Sequence, residues 1–159
     1  MSTQPRQAEG DQGLPTQLLQ FPSYLMLQLT KESRRIAGLL GDEDLRVTHV
    51  TVLACLAEFG PASQKEISAR LRIDASDLVS LLDDLENAGF ASRTRDERDR
   101  RRYTVDLTTA GRRALRRRLG MAERLNELLF APLSEQERTQ LHDLLLRSFR
   151  HHDTQRSGG

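Results

Sequence analysis

Apolar residues recur at helical spacing along most of the chain, which predicts a mainly helical protein. The first such stretch extends from Gln17 to Leu40, with Pro22 expected near its start or at a bend. A core helix follows within the segment VTHVTVLACLAEFGP, where Gly60 and Pro61 form a stop signal. The pattern therefore predicts a long first helix and a buried second one.

Two shorter helices are predicted in residues 63–89. Ser63 and Glu66 have the spacing of a capping box, and Asp74 is in position to cap the second helix. That helix has a single apolar stripe, formed by Leu78, Leu81, Leu82 and Leu85. Its opposite side is polar, and Gly89 is expected to end it in a left-handed conformation.

From Ala91 the pattern changes to alternation. Tyr103, Val105 and Leu107 alternate with polar residues and predict a strand, with which a shorter strand at Phe90–Thr94 is expected to pair. A β-hairpin directly after two short helices is the order of a winged helix-turn-helix. The predicted fold is therefore mainly α with a small β-hairpin wing.

Two long helices are predicted after the hairpin. Thr108 is expected to cap the first of them, which continues to about Phe130. Ser134 and Glu137 form a second capping box, and the last helix is expected to reach about His152.

Composition excludes several classes of protein. The chain has 159 residues and 37% hydrophobic residues, but no apolar run approaches the roughly 18 residues of a membrane span. The N-terminal segment lacks the apolar core of a secretory signal, and the single cysteine, Cys55, excludes an intrachain disulfide. No phosphate loop, metal-ligand spacing or activated nucleophile is recognisable. We expect a cytoplasmic protein that is not an enzyme and has no cofactor or metal.

The net charge of +1 conceals an uneven distribution. Residues 93–118 contain 11 arginines and four acidic residues, a net charge of +7, whereas residues 1–92 carry a net charge of −5. A basic segment of this kind is typical of an element that contacts phosphates. The alternative interpretation is a solvated, mixed-charge loop.

This arrangement favours binding to double-stranded DNA. The second short helix would enter the major groove, with bases read near its N-terminus, and the hairpin arginines would reach phosphates or the adjacent minor groove. The DNA-contacting residues predicted on this basis are Ser63, Gln64, Ala75, Ser76, Asp77, Ser80, Arg93, Arg95, Arg98, Arg100, Arg101 and Arg102.

The stretch LLDDLENAGFASRTRDERDRRRYTVDLTTAG resembles the MarR family of bacterial transcriptional regulators. The resemblance is carried by the end of the recognition helix, the start of the wing, a D-x-R pair and an LT-x-x-G segment. The matching residues are Leu85, Gly89, Arg93, Asp99, Arg101, Leu107, Thr108 and Gly111. With the order of the helices, the resemblance covers about residues 17–152.

The resemblance implies a homodimer that binds a pseudo-palindromic operator and usually represses transcription. It assigns residues 47–108 to DNA binding and residues 17–46 and 109–152 to dimerisation, with flexible tails at residues 1–16 and 153–159. Asp83 resembles the family's recognition-helix acid that pairs with a wing arginine, so Asp83 and Asp99 are expected to support the wing. It also implies release from DNA by a small molecule or an oxidant.

The chain departs from the family on the recognition helix. Ser80 and Asp84 occupy positions where the family often has basic residues. Asp77, Asp83, Asp84 and Glu86 make this helix acidic, so the phosphates are expected to repel its C-terminal half. The alternative function is a winged-helix protein–protein adaptor with weak or no DNA binding.

Three groups of residues are candidates for sensing or binding. Cys55 lies in an apolar run, which favours a buried structural thiol over an oxidant sensor. His142, His151 and His152 do not have converging metal-ligand spacing and are expected to be solvated. The candidates for an effector pocket, with core or interface packing as the alternative, are Phe21, Tyr24, Met26 and His49.

Overall fold

The computed structural model describes residues 13–41, 45–95 and 103–157, which form seven helices and three short strands. In chain order these are α1 (Thr16–Leu19), α2 (Pro22–Leu39), α3 (Val47–Phe59), β1 (Ala62–Ser63), α4 (Gln64–Leu71), α5 (Ala75–Asn87), β2 (Ala91–Arg95), β3 (Tyr103–Leu107), α6 (Thr109–Leu129) and α7 (Glu135–Ser157). The predicted fold class, mainly α with a small wing, is confirmed.

The long first helix predicted over residues 17–40 is two helices instead. Pro22 is the first residue of α2, where its missing N–H breaks no helical hydrogen bond and its fixed φ suits a helix start. The four-residue α1 ends just before it. Pro22 therefore starts a new helix rather than bending one.

The three strands form one antiparallel sheet in the order β1–β3–β2. Its register places Arg93 opposite Val105 and Arg95 opposite Tyr103, on the face that carries the buried Leu107. The two-residue β1 was not predicted, because it is too short to show any alternation.

The core lies in the middle of the chain. Residues with at most 1% exposure come from α3, α4, α5, α6 and the sheet: Val52, Leu53, Leu56, Ile67, Leu78, Leu82, Leu85, Val105 and Ala114. Leu81, at 7% exposure, completes the predicted stripe of the second short helix. Residues 45–115 therefore enclose a hydrophobic centre of their own, which we call the head.

The predicted helix caps are all formed. Each capping side chain accepts a hydrogen bond from a backbone N–H in the first turn: Ser63 from Glu66 (3.3 Å), Asp74 from Ser76 (2.9 Å), Thr108 from Gly111 (3.0 Å) and Ser134 from Glu137 (3.3 Å). Gly89 has φ +74° directly after α5, as expected for a left-handed C-terminal residue.

The start of α6 is fixed against the end of α5. The Thr108 hydroxyl donates to the Gly89 carbonyl at 2.6 Å. A Cβ atom on Gly111 would lie 2.0 Å from the Phe90 carbonyl oxygen, so only glycine fits there. The glycine is required for space rather than for a positive φ.

The terminal helices differ from the head in exposure. They carry large apolar side chains in contact with solvent, including Leu18, Leu25, Met26, Leu27, Leu29, Leu39, Leu119, Leu128, Leu144, Leu145 and Phe149. α7 packs little against the other described elements and continues to Ser157, past the predicted end at His152, because no proline or glycine interrupts it before Gly158. Within the described ranges, no helix is long and apolar enough to cross a membrane.

Candidate nucleic-acid interface

The N-terminal half of α5 presents a polar surface to solvent. Ala75, Ser76, Asp77 and Ser80 are exposed, on the side away from the leucine stripe. Asp74 Oδ1 accepts both the Ser76 backbone N–H at 2.9 Å and the Ser76 hydroxyl at 2.7 Å. These two bonds hold the pKa of Asp74 below its ordinary value. Since the Ser76 hydroxyl proton is donated to Asp74, its oxygen is left to accept, as from an adenine or cytosine amine.

Two acids in the C-terminal half of α5 are paired with the wing. Arg93 Nη1 lies 2.6 Å from Asp83 Oδ1 and 3.0 Å from Glu86 Oε2. The Arg93 side chain is only 22% exposed. This is the kind of acid–arginine contact that the resemblance implied for Asp83. Arg93 was predicted to contact DNA, but its geometry favours support of the wing.

A third acid, Asp84, is paired with the start of α3. Its Oδ2 lies 3.3 Å from Arg46 Nη2 and 3.1 Å from Nε2 of the buried His49. His49 Nδ1 accepts the Arg46 backbone N–H at 3.3 Å, which leaves Nε2 to carry the proton that His49 donates to Asp84. Two arginines, Arg93 and Arg46, thus offset part of the negative charge of Asp83, Glu86 and Asp84, which reduces the expected repulsion of phosphates by this half of α5.

The described part of the wing ends in an exposed arginine. Arg95 Nε donates to the Tyr103 hydroxyl at 3.1 Å, and the guanidinium lies 5.6 Å from the centre of the tyrosine ring. This contact directs Arg95 across the hairpin, to the facing residue of β3. The other wing residues of the prediction fall in residues 96–102, outside the described ranges: Arg98, Asp99, Arg100, Arg101 and Arg102.

The basic segment of the sequence is divided between two elements. Arg112, Arg113, Arg116, Arg117 and Arg118 lie on α6 rather than on the wing. Arg118 is half-buried, and desolvation lowers its pKa. The sequence therefore overestimates the charge available at the hairpin.

The predicted residues at the start of α4 contribute mainly to its cap. The Ser63 hydroxyl donates to Glu66 Oε2 at 2.5 Å, and the Ser63 N–H donates to the same oxygen at 2.8 Å. Gln64 is half-buried. Their contact with DNA stays a prediction.

A hollow of about 460 Å³ lies between the start of α3 and the N-terminal half of α5. Its lining residues are Arg46, Thr48, Arg72, Ile73, Asp74, Asp77, Ser80 and Leu81. We call it the α3–α5 hollow. Arg46 and Arg72 were missed from the sequence, although the position of Arg72 directly before the capped turn was a local signal for it.

The proposed effector residues are not gathered in one described cavity. Phe21 is 51% and Met26 53% exposed on α2, whereas His49 is buried and bonded to Asp84. A cavity of about 520 Å³ lies instead between α6 and α7, lined by Glu123, Asn126, Glu127, Phe130, Arg138, Leu141, His142 and Leu145. The assignment of Phe21, Tyr24, Met26 and His49 to a pocket stays a prediction.

The structure describes the cysteine and the histidines that were considered as sensing or metal-binding residues. Cys55 is buried, at 4% exposure, as expected of a structural thiol. His151 and His152 contact each other edge to face, with ring centres 5.2 Å apart. Among the residues that the structure describes, no three His, Cys, Asp or Glu side chains are grouped to hold a metal ion.

A helix-turn-helix with a capped recognition helix, joined to a two-stranded wing by a carboxylate–arginine contact, defines a winged helix-turn-helix protein of the transcriptional-regulator type. The sequence model of the MarR family matches residues 45–103, which include both helices of the helix-turn-helix.

The individual relatives that this chain resembles are also described as transcriptional regulators. The chain is 28% identical over 100 residues to the HTH-type transcriptional regulator YpoP of Bacillus subtilis, an alignment that covers 63% of this chain and 71% of YpoP. A probable transcriptional regulator from Pseudomonas aeruginosa superposes with TM-score 0.68 and 29% identity, covering 82% of this chain and 98% of that one. The PcaV regulator from Streptomyces coelicolor, solved with its natural ligand, gives TM-score 0.68 and 26% identity over 86% of this chain and 97% of that one.

The alignments with curated relatives are partial. They span between 40% and 71% of the relatives' own lengths. Similarity is therefore established for the winged helix-turn-helix and the family's fold.

Proposed function

We propose that this protein is a transcriptional regulator that binds a pseudo-palindromic operator as a homodimer and represses the adjacent genes. Each protomer inserts the N-terminal half of α5 into the major groove and places its wing along the flanking backbone. The observation that carries the proposal is the pairing of Asp83 and Glu86 with Arg93, because it reduces the electrostatic objection to an acidic recognition helix on DNA.

The homodimer is supported by the exposed apolar side chains of α1, α2, α6 and α7. A set of this size on terminal helices is typical of a surface that is buried by another chain. Two copies related by a two-fold axis would present two α5 helices to successive major grooves, about 34 Å apart. The protein would act in the cytoplasm, at the nucleoid.

Release by a small molecule is a further part of the proposal. PcaV was solved with its natural ligand, and the cavity between α6 and α7 gives this chain a space of small-molecule size. A ligand there would act on the helices that connect the two heads.

Binding of genomic DNA tests the proposal. Fragments are selected with the purified chain near physiological salt, and the best one is titrated against a scrambled duplex of equal length. We expect tight, salt-dependent binding to an inverted repeat. Weak binding without preference would support the protein–protein adaptor instead.

The Arg93 contact is tested on the same fragment. Arg93→Ala should weaken binding about five- to tenfold, because two uncompensated carboxylates then face the phosphates. The triple variant Arg93→Ala, Asp83→Asn, Glu86→Gln should recover part of that loss. If the triple variant binds no better than the single one, neutralisation is not the role of Arg93.

A further inference from the structure

Arg72 lies at the turn of the helix-turn-helix. It is the C-cap of α4 and has left-handed backbone angles, φ 53° and ψ 40°. Its side chain lines the α3–α5 hollow together with Asp77 and Ser80, the residues expected to read bases. Arg72 is therefore beside the surface that would contact DNA, although it is on neither the recognition helix nor the wing.

The Arg72 guanidinium is bound by the C-terminal helix. Nη1 lies 2.5 Å from Oδ1 of Asp153, near the end of α7, and 3.4 Å from the Asp153 backbone carbonyl. The two residues are 81 positions apart in the chain, whereas the pairs Arg35–Glu32 and Arg124–Glu127 are local contacts within one helix. Arg72–Asp153 thus connects an outer helix to the turn that precedes α5.

The pair is accessible to competing ions. The two side chains are 47% and 44% exposed, and an ion pair of this exposure contributes little net free energy. A guanidinium also fits a phosphate diester as well as a carboxylate, through paired N–H donors. The exchange of one anion for the other is therefore thermodynamically easy.

The lining of the hollow includes a second cation. Arg46 is 72% exposed and holds Asp84 through a single contact at 3.3 Å. Thr48, also in the lining, adds a hydroxyl. The hollow also contains Asp74 and Asp77, but the Asp74 carboxylate is directed at Ser76. A backbone phosphate between Arg46 and Arg72 would lie next to the exposed start of α5.

We propose that Arg72 is a phosphate ligand in the DNA complex and that Asp153 competes with the phosphate for its guanidinium. The inference rests on the proposed DNA-binding function and adds a regulatory contact to it. Because one cation serves two anions, α7 docked on Arg72 lowers the affinity for DNA, and DNA binding in turn favours release of the end of α7.

The inference predicts that substitutions of Arg72 and of Asp153 change the affinity for DNA in opposite directions. The full chain is titrated against a 30-base-pair mixed-sequence duplex by fluorescence anisotropy over a series of salt concentrations. Arg72→Gln should weaken binding and reduce the slope of log K against log salt by about 1.8, because each protomer of the proposed homodimer loses one phosphate contact worth about 0.9. Asp153→Asn should strengthen binding about two- to fivefold, the range for loss of an exposed ion pair.

Three further variants complete the design. Arg35→Gln removes a matched ion pair on α2 and should leave binding unchanged. Arg72→Lys keeps the charge and should restore the salt slope. Asp153→Asn in the Arg72→Gln background should have no effect, since the competition requires Arg72. Thermal unfolding of each variant confirms that it is folded.

The experiments distinguish a failure of this inference from a failure of the proposed function. If Asp153→Asn weakens binding in parallel with Arg72→Gln, the pair only braces the fold and the inference is wrong. A slope for Arg72→Gln equal to that of Arg35→Gln also overturns it. Failure of the wild-type chain to bind any duplex at low salt contradicts the proposed function instead.

Discussion

The head and the terminal helices differ in how far their apolar side chains are buried. In the head, the leucines of α3 and α5 have exposures near zero and pack against the sheet. On α2 and α7, residues of similar size such as Met26 and Phe149 remain more than half exposed. The described core of the head is buried within one chain, whereas the terminal helices carry exposed apolar side chains that a second copy would cover in the proposed dimer.

The two regions also differ in their ion pairs. In the head, Arg93 and Asp84 connect different elements and fix the recognition helix against the wing and α3. On α2 and α6, the pairs join residues three apart and fix nothing beyond their own helix. Polar contacts therefore connect the elements around α5 to one another, whereas among the described ion pairs of α2 and α7 only Arg72–Asp153 reaches another element.

The largest expected effect comes from a cavity in the head. Leu82 is 1% exposed, and Leu82→Ala should lower the free energy of unfolding by about 2–5 kcal/mol through lost burial and the cavity left behind. Urea denaturation at fixed protein concentration measures it. The control Val47→Ala, at a residue 75% exposed, should change stability by no more than about 0.5 kcal/mol. Equal losses in both variants would show that the head is not an independent core.

A charge on the terminal helices should affect association instead. Phe149 is 65% exposed on α7, and Phe149→Glu should raise the dimer dissociation constant by about tenfold or more. Sedimentation velocity over a dilution series measures the constant, and circular dichroism should show an unchanged head. Val47→Glu places the same charge on an exposed apolar residue of the head and should not alter association. If Phe149→Glu leaves the dimer dissociation constant unchanged, this face of α7 is not part of the proposed interface.

The smallest expected effect is a pH dependence in the head. The pKa of Asp74 is lowered by its hydrogen bonds to Ser76, so the cap contributes stability above the ordinary pKa of 3.8 and loses it as pH falls through the lower folded value. An asparagine side chain at this position would cap the helix without titrating. The difference in Tm between the wild type and Asp74→Asn should therefore shrink between pH 5 and pH 3. A difference that is constant over this range would assign the acid sensitivity to other carboxylates.

Local features of this protein were predictable from its sequence, and long-range pairings were not. The leucine stripe of α5 and the caps at Ser63 and Asp74 follow from residues within one or two turns of each other. Asp84 with His49 and Arg72 with Asp153 join residues 35 and 81 positions apart, and no periodicity encodes them. The acidity of α5 was therefore visible in the sequence, but its partial neutralisation was not.

Helix ends show the same limit. Thr108 and Ser134 mark helix starts through their own side chains, so both starts were predicted. The end of α7 has no such signal, and residues 153–157 were expected in a tail although their helix continues. The prediction for Arg93 met a related limit. Its charge suggested a contact with DNA, whereas the fold places its guanidinium beside two carboxylates.

The close packing of Gly111 against the Phe90 backbone fixes the position about which α6 could tilt. From Gly111, which packs against the Phe90 carbonyl, α6 extends to Leu129, about 28 Å away along the helix. A tilt of about 5° at that point moves the far end of the helix by roughly 2.5 Å. In the proposed dimer, the angle of α6 at this contact would affect the distance between the two α5 helices, and with it the half-site spacing that they can span.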